Sequence, residues 1–292
     1  MNLLLLFQKS IILQYSQWIF ISIITIIAFH WFFKYLHRIW PLGKTLDHNH
    51  IIADKLNNDD EENEEHDEYT PALEENEHIP YEGATIKLPG GAEQFYKMVH
   101  NRRSVRSFKS HPIPSLKVIE TCIKAAGTSP SGAHTEPWTF CVVSNKELKQ
   151  RIREIIEFEE ELNYKQRMSR QWTTDLRPLK TDHIKPYLTD APYLILIFKQ
   201  IYGFTKSGKR KQHYYNEISV SIATGILLCA LQAAGLSSLV TTPLNCGPFL
   251  RDLLNRPANE KLLVLLPVGY PADDCRIPDL QRKDLNDIMQ MY

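Results

Sequence analysis

The sequence restricts most strongly where a folded domain can begin, because its first part is dominated by one uncharged stretch. Between Ile11 and Phe33 there is no Asp, Glu, Lys or Arg, and isoleucine and aromatic residues predominate. As an α-helix these 23 residues would be roughly 34 Å long, which is enough to cross a bilayer core of about 30 Å. We therefore predict a short segment at residues 1–10 followed by one transmembrane helix at residues 11–33.

A cleaved signal peptide is the alternative interpretation of this apolar stretch. The stretch is long for a signal peptide, and the bulky sequence KYLHRIWPLGK follows it where a small-residue cleavage site would stand. Lys9 precedes the stretch, whereas Lys34, Arg38 and Lys44 follow it. The positive-inside rule therefore predicts a single-pass membrane protein whose C-terminal domain lies in the cytosol.

The region after the apolar stretch is strongly acidic. From Asp54 to Glu77 the chain carries 12 acidic residues and a single lysine. Such a composition buries too little apolar surface to offset the entropy cost of folding. We predict a disordered spacer at residues 34–80, with an acidic protein-docking tail as the alternative, and a folded catalytic domain at residues 81–292.

Charge and cysteine usage exclude several classes of site. Residues 81–292 hold 29 basic and 21 acidic residues, so the predicted domain is positive and suited to an anionic cofactor or substrate. No basic helix or interleaved aromatic stripe predicts binding of nucleic acid. The five cysteines are scattered without a CxxC pair, which argues against a disulfide framework or a zinc site and favours a reducing compartment.

Helical and strand patterns alternate through the predicted domain. Residues 115–127, 146–168 and 213–234 have helical periodicity or length, and PFLRDLLN predicts a short helix. Residues 138–144, 193–199 and 237–242 predict strands, as does the apolar run that opens the stretch 261–271. The alternation predicts an α+β domain of the α/β type. No GxGxxG or Walker sequence is present, so side chains would have to hold any phosphate.

The segment RRSVRSF, residues 102–108, concentrates positive charge near the start of this domain. A solvated charged run is one interpretation. An anion site is the other, because the planar guanidinium fork suits phosphate and serine adds a short donor. The loop GTSPSGAHTEPW, residues 127–138, begins with several residues that have small side chains, so its backbone can approach a ligand closely. An ordinary turn between a helix and a strand is the alternative interpretation.

The order of these segments resembles the nitroreductase superfamily, whose members bind FMN at a homodimer interface. The longer sequences GTSPSGAHTEPWTF, HYYNEISVSIATGILLCALQAAGL, TTPLNCGP and LLPVGYP are similar to those of the iodotyrosine deiodinases. The resemblance extends from about Gln94 to Ile288. It implies a mixed sheet flanked by helices, a homodimer with FMN at its interface, and an N-terminal membrane anchor.

The resemblance also implies which residues contact the FMN cofactor. They are Arg102, Arg103, Ser104, Val105, Arg106, Pro130, Ser131, Val240, Thr241, Thr242 and Arg282. Arg106 and Thr242 have the catalytic roles, because they are expected at the N1/O2 edge and at N5 of the flavin, where a protein tunes its electronics. Val240 stands where the family resemblance implies a threonine, and a solvated tail is the alternative for Arg282.

Four further residues are implied to bind the substrate. Glu160, Tyr164 and Lys185 match residues that hold the amino-acid end, and a zwitterion does need one anionic and one cationic partner. Ala133 matches a residue whose backbone N–H receives the phenolate oxygen. Taken without the resemblance, the crowded glutamates of FEEELNYKQRM would be interpreted as solvated. Cys246 could be read as a nucleophile, but no base is assigned to it.

These matches imply a membrane-anchored oxidoreductase that removes iodine from 3-iodotyrosine and 3,5-diiodotyrosine, yielding tyrosine and iodide. The electrons are expected to come from NADPH through a partner reductase, because no nicotinamide site is visible in the sequence. A generalist nitro or quinone reductase of the same fold is one alternative. A membrane-anchored flavoprotein with a regulatory role is another.

Overall fold

The structure, a computed structural model, describes residues 73–81 and 88–292 of the chain. The predicted segment at 1–10, the predicted membrane helix at 11–33 and most of the predicted spacer lie outside these residues, and they stay predictions. The described residues belong to one unit that extends from Thr70 to Tyr292.

A four-stranded sheet with the strand order β1-β2-β6-β5 lies at the centre of this unit. Its strands are β1 (Trp138–Val143), β2 (Tyr193–Gln200), β5 (Ser237–Ser238) and β6 (Glu260–Gly269). A separate two-stranded hairpin is formed by β3 (Tyr202–Phe204) and β4 (Arg210–Gln212). The strands predicted at 138–144, 193–199 and 261–271 are thus confirmed, whereas the one predicted at 237–242 is reduced to two residues.

Helices flank the sheet, as the α+β prediction requires. They are α1 (Gly91–His100), α2 (Leu116–Ala126), α3 (Lys146–Leu162), α4 (Arg170–Leu176), α5 (Tyr187–Asp190), α6 (Asn216–Ala233), α7 (Gly247–Leu253) and α8 (Leu285–Ile288). Helix α3 ends earlier than the predicted residue 168, because a π-helical turn, Asn163–Arg167, replaces its last part. Single π-turns of this kind are frequent at functional sites.

The predicted mixed character of the sheet is confined to its edge. The three pairings among its named strands are all antiparallel. The one parallel contact in the part of the chain that the structure describes is the bridge between Ser104 and Ser238. The segment around Ser104 touches the short strand β5 at this bridge alone. It is therefore bound to the sheet without forming a strand of its own.

The two faces of strand β2 divide the core into two layers. Leu194, Leu196 and Phe198 pack with α3, α5 and α7, whereas Tyr193, Ile195 and Ile197 pack with α2 and α6. Side chains of a strand alternate between faces, so a strand covered on both sides is apolar at every position. This explains why the sequence YLILIF has no polar residue.

Helix α6 has more apolar surface than the rest of the described chain buries. It is long and apolar enough to span a membrane by length and composition alone, with a mean hydropathy of 1.3. It nevertheless packs on α2 and β2 through buried residues such as Val220 and Leu227. Ile218 and Ile222, in contrast, remain 60% and 44% exposed.

Candidate active site

A cavity of about 200 Å³ brings together residues that are distant in the sequence. Its walls include seven of the predicted site residues: Arg106, Glu160, Tyr164, Lys185, Val240, Thr241 and Thr242. These residues come from the arginine segment, the end of α3, the π-turn, the start of α5 and the turn after β5. The cavity therefore combines the residues expected at the flavin ring with those expected at the substrate.

An ion pair joins the two charged residues of the predicted substrate clamp, which we define as Glu160, Tyr164 and Lys185. Glu160 Oε2 lies 3.4 Å from Lys185 Nζ, and only 15% and 8% of the two side chains are exposed. Lys185 Nζ also lies 5.5 Å from the centre of the Tyr164 ring. The Tyr164 hydroxyl donates a hydrogen bond to the carbonyl of Thr181 at 3.3 Å. Lys185 thus lies close to both Glu160 and Tyr164, and all three side chains line the cavity.

Burial changes the pKa of two clamp residues, Lys185 and Tyr164. It lowers the pKa of Lys185 below that of a free lysine, although the nearby Glu160 carboxylate opposes this change. Burial, assisted by the charge of Glu160, raises the pKa of Tyr164, so its phenol is neutral at physiological pH. The ammonium of Lys185 also donates a hydrogen bond to the carbonyl of Asp182. The backbone N–H of Lys185 donates to Glu157 Oε1 at 2.6 Å.

Glu160 differs from the glutamates around it in where its partner lies. Its neighbours pair with cations on α3 or the π-turn, in the pairs Glu157–Arg153, Glu159–Arg167 and Glu161–Lys165. Glu160 pairs instead with Lys185 across the cavity wall. The interpretation of these glutamates as solvated fits Glu161, whose pair with Lys165 is exposed, but not Glu159 and Glu160, whose side chains are mostly buried.

The turn that follows β5 carries two threonine hydroxyls that differ in their hydrogen bonding. Thr241 pairs with Leu265 in both directions through its backbone, and its side chain donates to the same carbonyl at 2.9 Å. The Thr242 side chain makes no hydrogen bond within residues 73–81 and 88–292, and it lines the cavity. Thr241 thus fixes the turn, and Thr242 leaves a donor and an acceptor available to a ligand.

Arg106 brings an uncompensated cation to the same cavity. Its guanidinium forms no ion pair or hydrogen bond with any residue that the structure describes, although the residue is half-buried. A cation and a free hydroxyl on the walls of one cavity fit a flavin ring, whose reduced form carries negative charge at one edge and whose N5 can exchange a hydrogen bond. The residues present therefore fit FMN.

The other predicted phosphate residues lie outside the cavity. Arg282 donates to the carbonyls of His100 and Arg102 at 2.9 and 3.0 Å, and Arg103 donates to the carbonyl of Pro278. The C-terminal segment is thereby held against the arginine segment, as a shared phosphate site requires. The role of Arg103 and Arg282 at a phosphate stays a prediction. The contacts of Ser104 and Val105 with FMN also stay predictions.

The loop that contains Pro130, Ser131 and Ala133 does not reach the cavity of its own chain. Gly132 packs on the start of α6, where a Cβ atom would lie 2.7 Å from the carbonyl oxygen of Tyr214. This close approach explains the glycine. Ala133 is exposed with a φ of 48°, in the left-handed region. Within one chain, the structure therefore separates this loop from the clamp.

Several cavity residues were missed by the sequence analysis. Met168, Trp172 and Leu176, on and just before α4, form an apolar wall, and the buried phenol of Tyr187 contributes another. Met168, Trp172 and Leu176 are spaced four residues apart, which is typical of one helix face. This pattern is short and lies beside a charged stretch, so it was not recognised in the sequence. Burial raises the pKa of Cys246 to about 12, which disfavours the thiolate that a nucleophile needs.

Comparison with known proteins places the chain in a family. The model of the nitroreductase family matches residues 99–270. The chain belongs to the nitroreductase family. It is 60% identical over 273 residues to the iodotyrosine deiodinase of Drosophila melanogaster, with 90% of this chain and 95% of that protein covered. A human iodotyrosine deiodinase is 56% identical, with 77% of this chain and 79% of that protein covered.

A solved structure from the same family agrees with the fold. The oxidised iodotyrosine deiodinase bound to FMN and 3-iodo-L-tyrosine superposes with a TM-score of 0.58 at 32% identity. The match covers 68% of this chain and 98% of that one. These comparisons confirm the predicted membership of the iodotyrosine deiodinase group, and they confirm FMN as the cofactor of this nitroreductase-family chain.

Proposed function

We propose that this chain is an FMN-dependent oxidoreductase that converts 3-iodotyrosine and 3,5-diiodotyrosine to tyrosine and iodide. The observation that carries the proposal is the buried pair of Glu160 and Lys185 on a cavity that also holds Arg106 and Thr242. A small aromatic substrate needs no buried pair of opposite charges, whereas an amino acid does. Identity of 55–60% to several iodotyrosine deiodinases supports the same activity.

The clamp recognises the zwitterionic end of the substrate. The α-ammonium binds Glu160, the α-carboxylate binds Lys185, and Tyr164 adds a neutral hydroxyl between them. In the free protein Glu160 and Lys185 neutralise one another at 3.4 Å, so substrate exchanges one ion pair for two. A ligand with only one of the two charges leaves its counterpart buried without a partner, which is costly.

The apolar wall of Met168, Trp172 and Leu176 covers the halogenated ring and excludes water from it. The phenolate oxygen accepts a hydrogen bond from the backbone N–H of Ala133. Iodine withdraws electrons and lowers the phenol pKa below the value of about 10 for tyrosine. Binding of the phenolate therefore favours the halotyrosine over the product tyrosine.

When bound, FMN supplies the electrons for cleavage of the carbon–iodine bond. Arg106 would stabilise negative charge at the N1/O2 edge of the bound flavin, and the free hydroxyl of Thr242 would be available to its N5. Arg102, Arg103 and Arg282 would hold the phosphate together with Ser104. Val240 takes the place of a threonine and removes one peripheral hydrogen-bonding group from the turn.

The active enzyme is a homodimer in which each cavity is completed by the partner. Ile218 and Ile222 expose apolar surface on α6, and the loop around Ala133 is packed at the start of the same helix. A dimer formed through α6 buries this surface and carries the loop of one chain to the cavity of the other. The N-terminal helix anchors the enzyme to a membrane, and an NADPH-dependent reductase supplies the electrons in the cytosol.

The test uses the full chain purified in detergent. It should be yellow, with about one FMN per chain, and 3-iodotyrosine should quench the flavin fluorescence far more strongly than tyrosine does. Reduction with dithionite in the presence of 3-iodotyrosine should release iodide. A colourless protein that ignores added FMN would overturn the proposal, as would reduction of a nitroaromatic without any release of iodide.

A further inference from the structure

Asn163 is a fully buried polar residue at the first position of the π-helical turn, between Glu160 and Tyr164. It does not line the cavity, and no role at the site has been assigned to it above. A buried amide is costly unless its donors and acceptors are satisfied. The partners of Asn163 therefore show what this position is built to hold.

The side chain of Asn163 connects three segments of the chain. Its Nδ2 lies 3.3 Å from Glu160 Oε1 and 3.4 Å from the carbonyl oxygen of Leu244. Its Oδ1 accepts hydrogen bonds of 3.1 Å from both Arg167 and Asn245. An amide has two N–H donors and two acceptor lone pairs, so its whole capacity is used.

This arrangement allows only one orientation of the amide. A flip by 180° would place Oδ1 against two oxygens, those of Glu160 and Leu244, and would point the N–H groups at the guanidinium of Arg167. The Glu160 carboxylate is thereby divided between two partners. Oε1 faces Asn163, and Oε2 faces Lys185 at 3.4 Å.

The other end of this network is the turn that carries Thr242. We define the threonine turn as residues 241–245, which begins with the strand-bound Thr241 and ends with Asn245 at a φ of 63°. The amide of Asn163 contacts its last two residues. A rigid, planar group thus spans from the carboxylate of the clamp to the segment that holds the free hydroxyl.

We propose that Asn163 is a positioning residue that couples the substrate clamp to the threonine turn. When the substrate ammonium binds Glu160, the carboxylate shifts relative to Lys185, and Asn163 transmits this shift through Leu244 and Asn245 to Thr242. The coupling deepens the proposed function and rests on it. It makes the position of Thr242 dependent on an occupied clamp.

Asn163→Asp tests the coupling, because it keeps the shape and the acceptor for Arg167 but places an oxygen against Glu160 and Leu244. The Kd for 3-iodotyrosine, from flavin fluorescence of the purified full chain, should rise about tenfold or more. At saturating 3-iodotyrosine, the change in the visible flavin spectrum should be smaller than in the wild type. Combined with Glu160→Gln, the substitution should add less than about twofold to Kd.

Asn259→Asp is the matched control. Asn259 is also buried and donates to a backbone carbonyl, that of Tyr202, but it lies away from the cavity. It should lower the melting temperature while leaving the Kd for 3-iodotyrosine and the saturated flavin spectrum unchanged. If Asn163→Asp does not fold, Asn163→Ala, which removes the amide without adding charge, gives the same measurements.

The results separate this proposal from the proposed function. A wild type that does not bind 3-iodotyrosine overturns the proposed function itself. A wild type that binds it, with Asn163 variants that only lose thermal stability as Asn259→Asp does, overturns the coupling alone. Equal added losses in Kd from Asn163→Asp in the wild type and in the Glu160→Gln background would also overturn the coupling.

Discussion

Individual side chains at the cavity differ in whether other residues of the protein pair with their charges and hydrogen-bonding groups. Glu160 and Lys185 satisfy each other, whereas Arg106 and Thr242 have no partner within the described part of the chain. A ligand therefore meets a closed ion pair on one wall and open hydrogen-bonding groups on the other. Changes to the first wall should alter substrate affinity, and changes to the second should alter the chemistry of the bound flavin.

Removal of one charge from the clamp should weaken the binding of halotyrosine without affecting substrates that lack a zwitterion. Glu160→Gln or Lys185→Ala should weaken binding of 3-iodotyrosine by roughly 1.5–3 kcal/mol, the range for hydrogen bonds to charged groups. Reduction of a small nitroaromatic, which has no zwitterion, should change little. Fluorescence titration and steady-state assays of the same preparations measure both quantities. Equal losses for the two substrates would mean that these residues support folding and do not form a clamp.

The lowered pKa of Lys185 should be visible in the pH dependence of binding. In the proposed function its ammonium binds the substrate carboxylate, and burial lowers the pKa of Lys185 below that of an ordinary lysine. The affinity for 3-iodotyrosine should therefore decrease on the alkaline side before the usual lysine pKa of about 10.4 is reached. Lys185→Arg, which stays charged, should shift the decrease to higher pH. An identical alkaline limb in both proteins would exclude Lys185 as its origin.

Thr242 should affect turnover without affecting binding. Thr242→Ala removes the hydroxyl but leaves the turn, because the strand contacts belong to Thr241. FMN content and the Kd for 3-iodotyrosine should stay close to wild type, iodide release should slow, and nitroaromatic reduction should hold. Thr242→Ser, which keeps the hydroxyl, should restore iodide release. Wild-type iodide release by the alanine variant would remove this residue from the mechanism.

At the scale of elements, the sequence indicates where helices and strands are but not where tertiary contacts end them. The apolar stripe of α3 predicted a helix to residue 168, since no glycine or proline interrupts the charged stretch after it. At Leu162 the α-helix instead passes into the π-turn, whose first residue, Asn163, has a side-chain contact with the carbonyl of Leu244, 81 residues away. The pairing of Glu160 with Lys185 is likewise beyond any local pattern. The family resemblance implied only that both residues bind the amino-acid end of the substrate.

An ion pair between the partly exposed Arg256 and the buried Glu260 ties the segment after α7 to the sheet. Arg256 donates two hydrogen bonds of 2.8 Å to Glu260, whose carboxylate also accepts one of 2.6 Å from Thr139. Burial alone would raise the pKa of Glu260, but these hydrogen bonds and the charge of Arg256 lower it overall. The carboxylate therefore contributes stability above its unfolded pKa, and this contribution is lost as the pH falls through the lower folded value.

Arg256→Ala should accordingly be strongly destabilising, because it leaves the Glu260 carboxylate buried without its partner. A loss of about 3 kcal/mol in the free energy of unfolding is expected at neutral pH, and less at acid pH. Denaturant unfolding measures both. Arg251→Ala breaks an exposed pair with Asp252 and should cost less than about 1 kcal/mol. Similar losses for the two variants would show that burial of Glu260 has no such effect.

At the scale of the whole molecule, the described chain holds only part of a flavin site. The cavity has the ring-facing cation and hydroxyl and the clamp, but the loop with Pro130, Ser131 and Ala133 lies elsewhere on the chain. The same chain leaves Ile218 and Ile222 exposed on α6, a helix whose mean hydropathy is 1.3. The proposed homodimer, with a second copy docked through α6, would account for both observations.

Ile218→Glu tests this assembly, because a charge placed at the centre of an apolar interface is costly to bury. The variant should elute as a monomer in size-exclusion chromatography and lose FMN, since the cavity would lack the partner's loop. Its monomeric fold should survive, because Ile218 is 60% exposed and contributes little to the core of its own chain. Phe204→Glu, at the same exposure of 60% on the separate hairpin, is the matched control and should remain a yellow dimer. A monomeric Ile218→Glu protein that retains FMN and 3-iodotyrosine binding would show that one chain builds the whole site. The exposed face of α6 would then need another explanation.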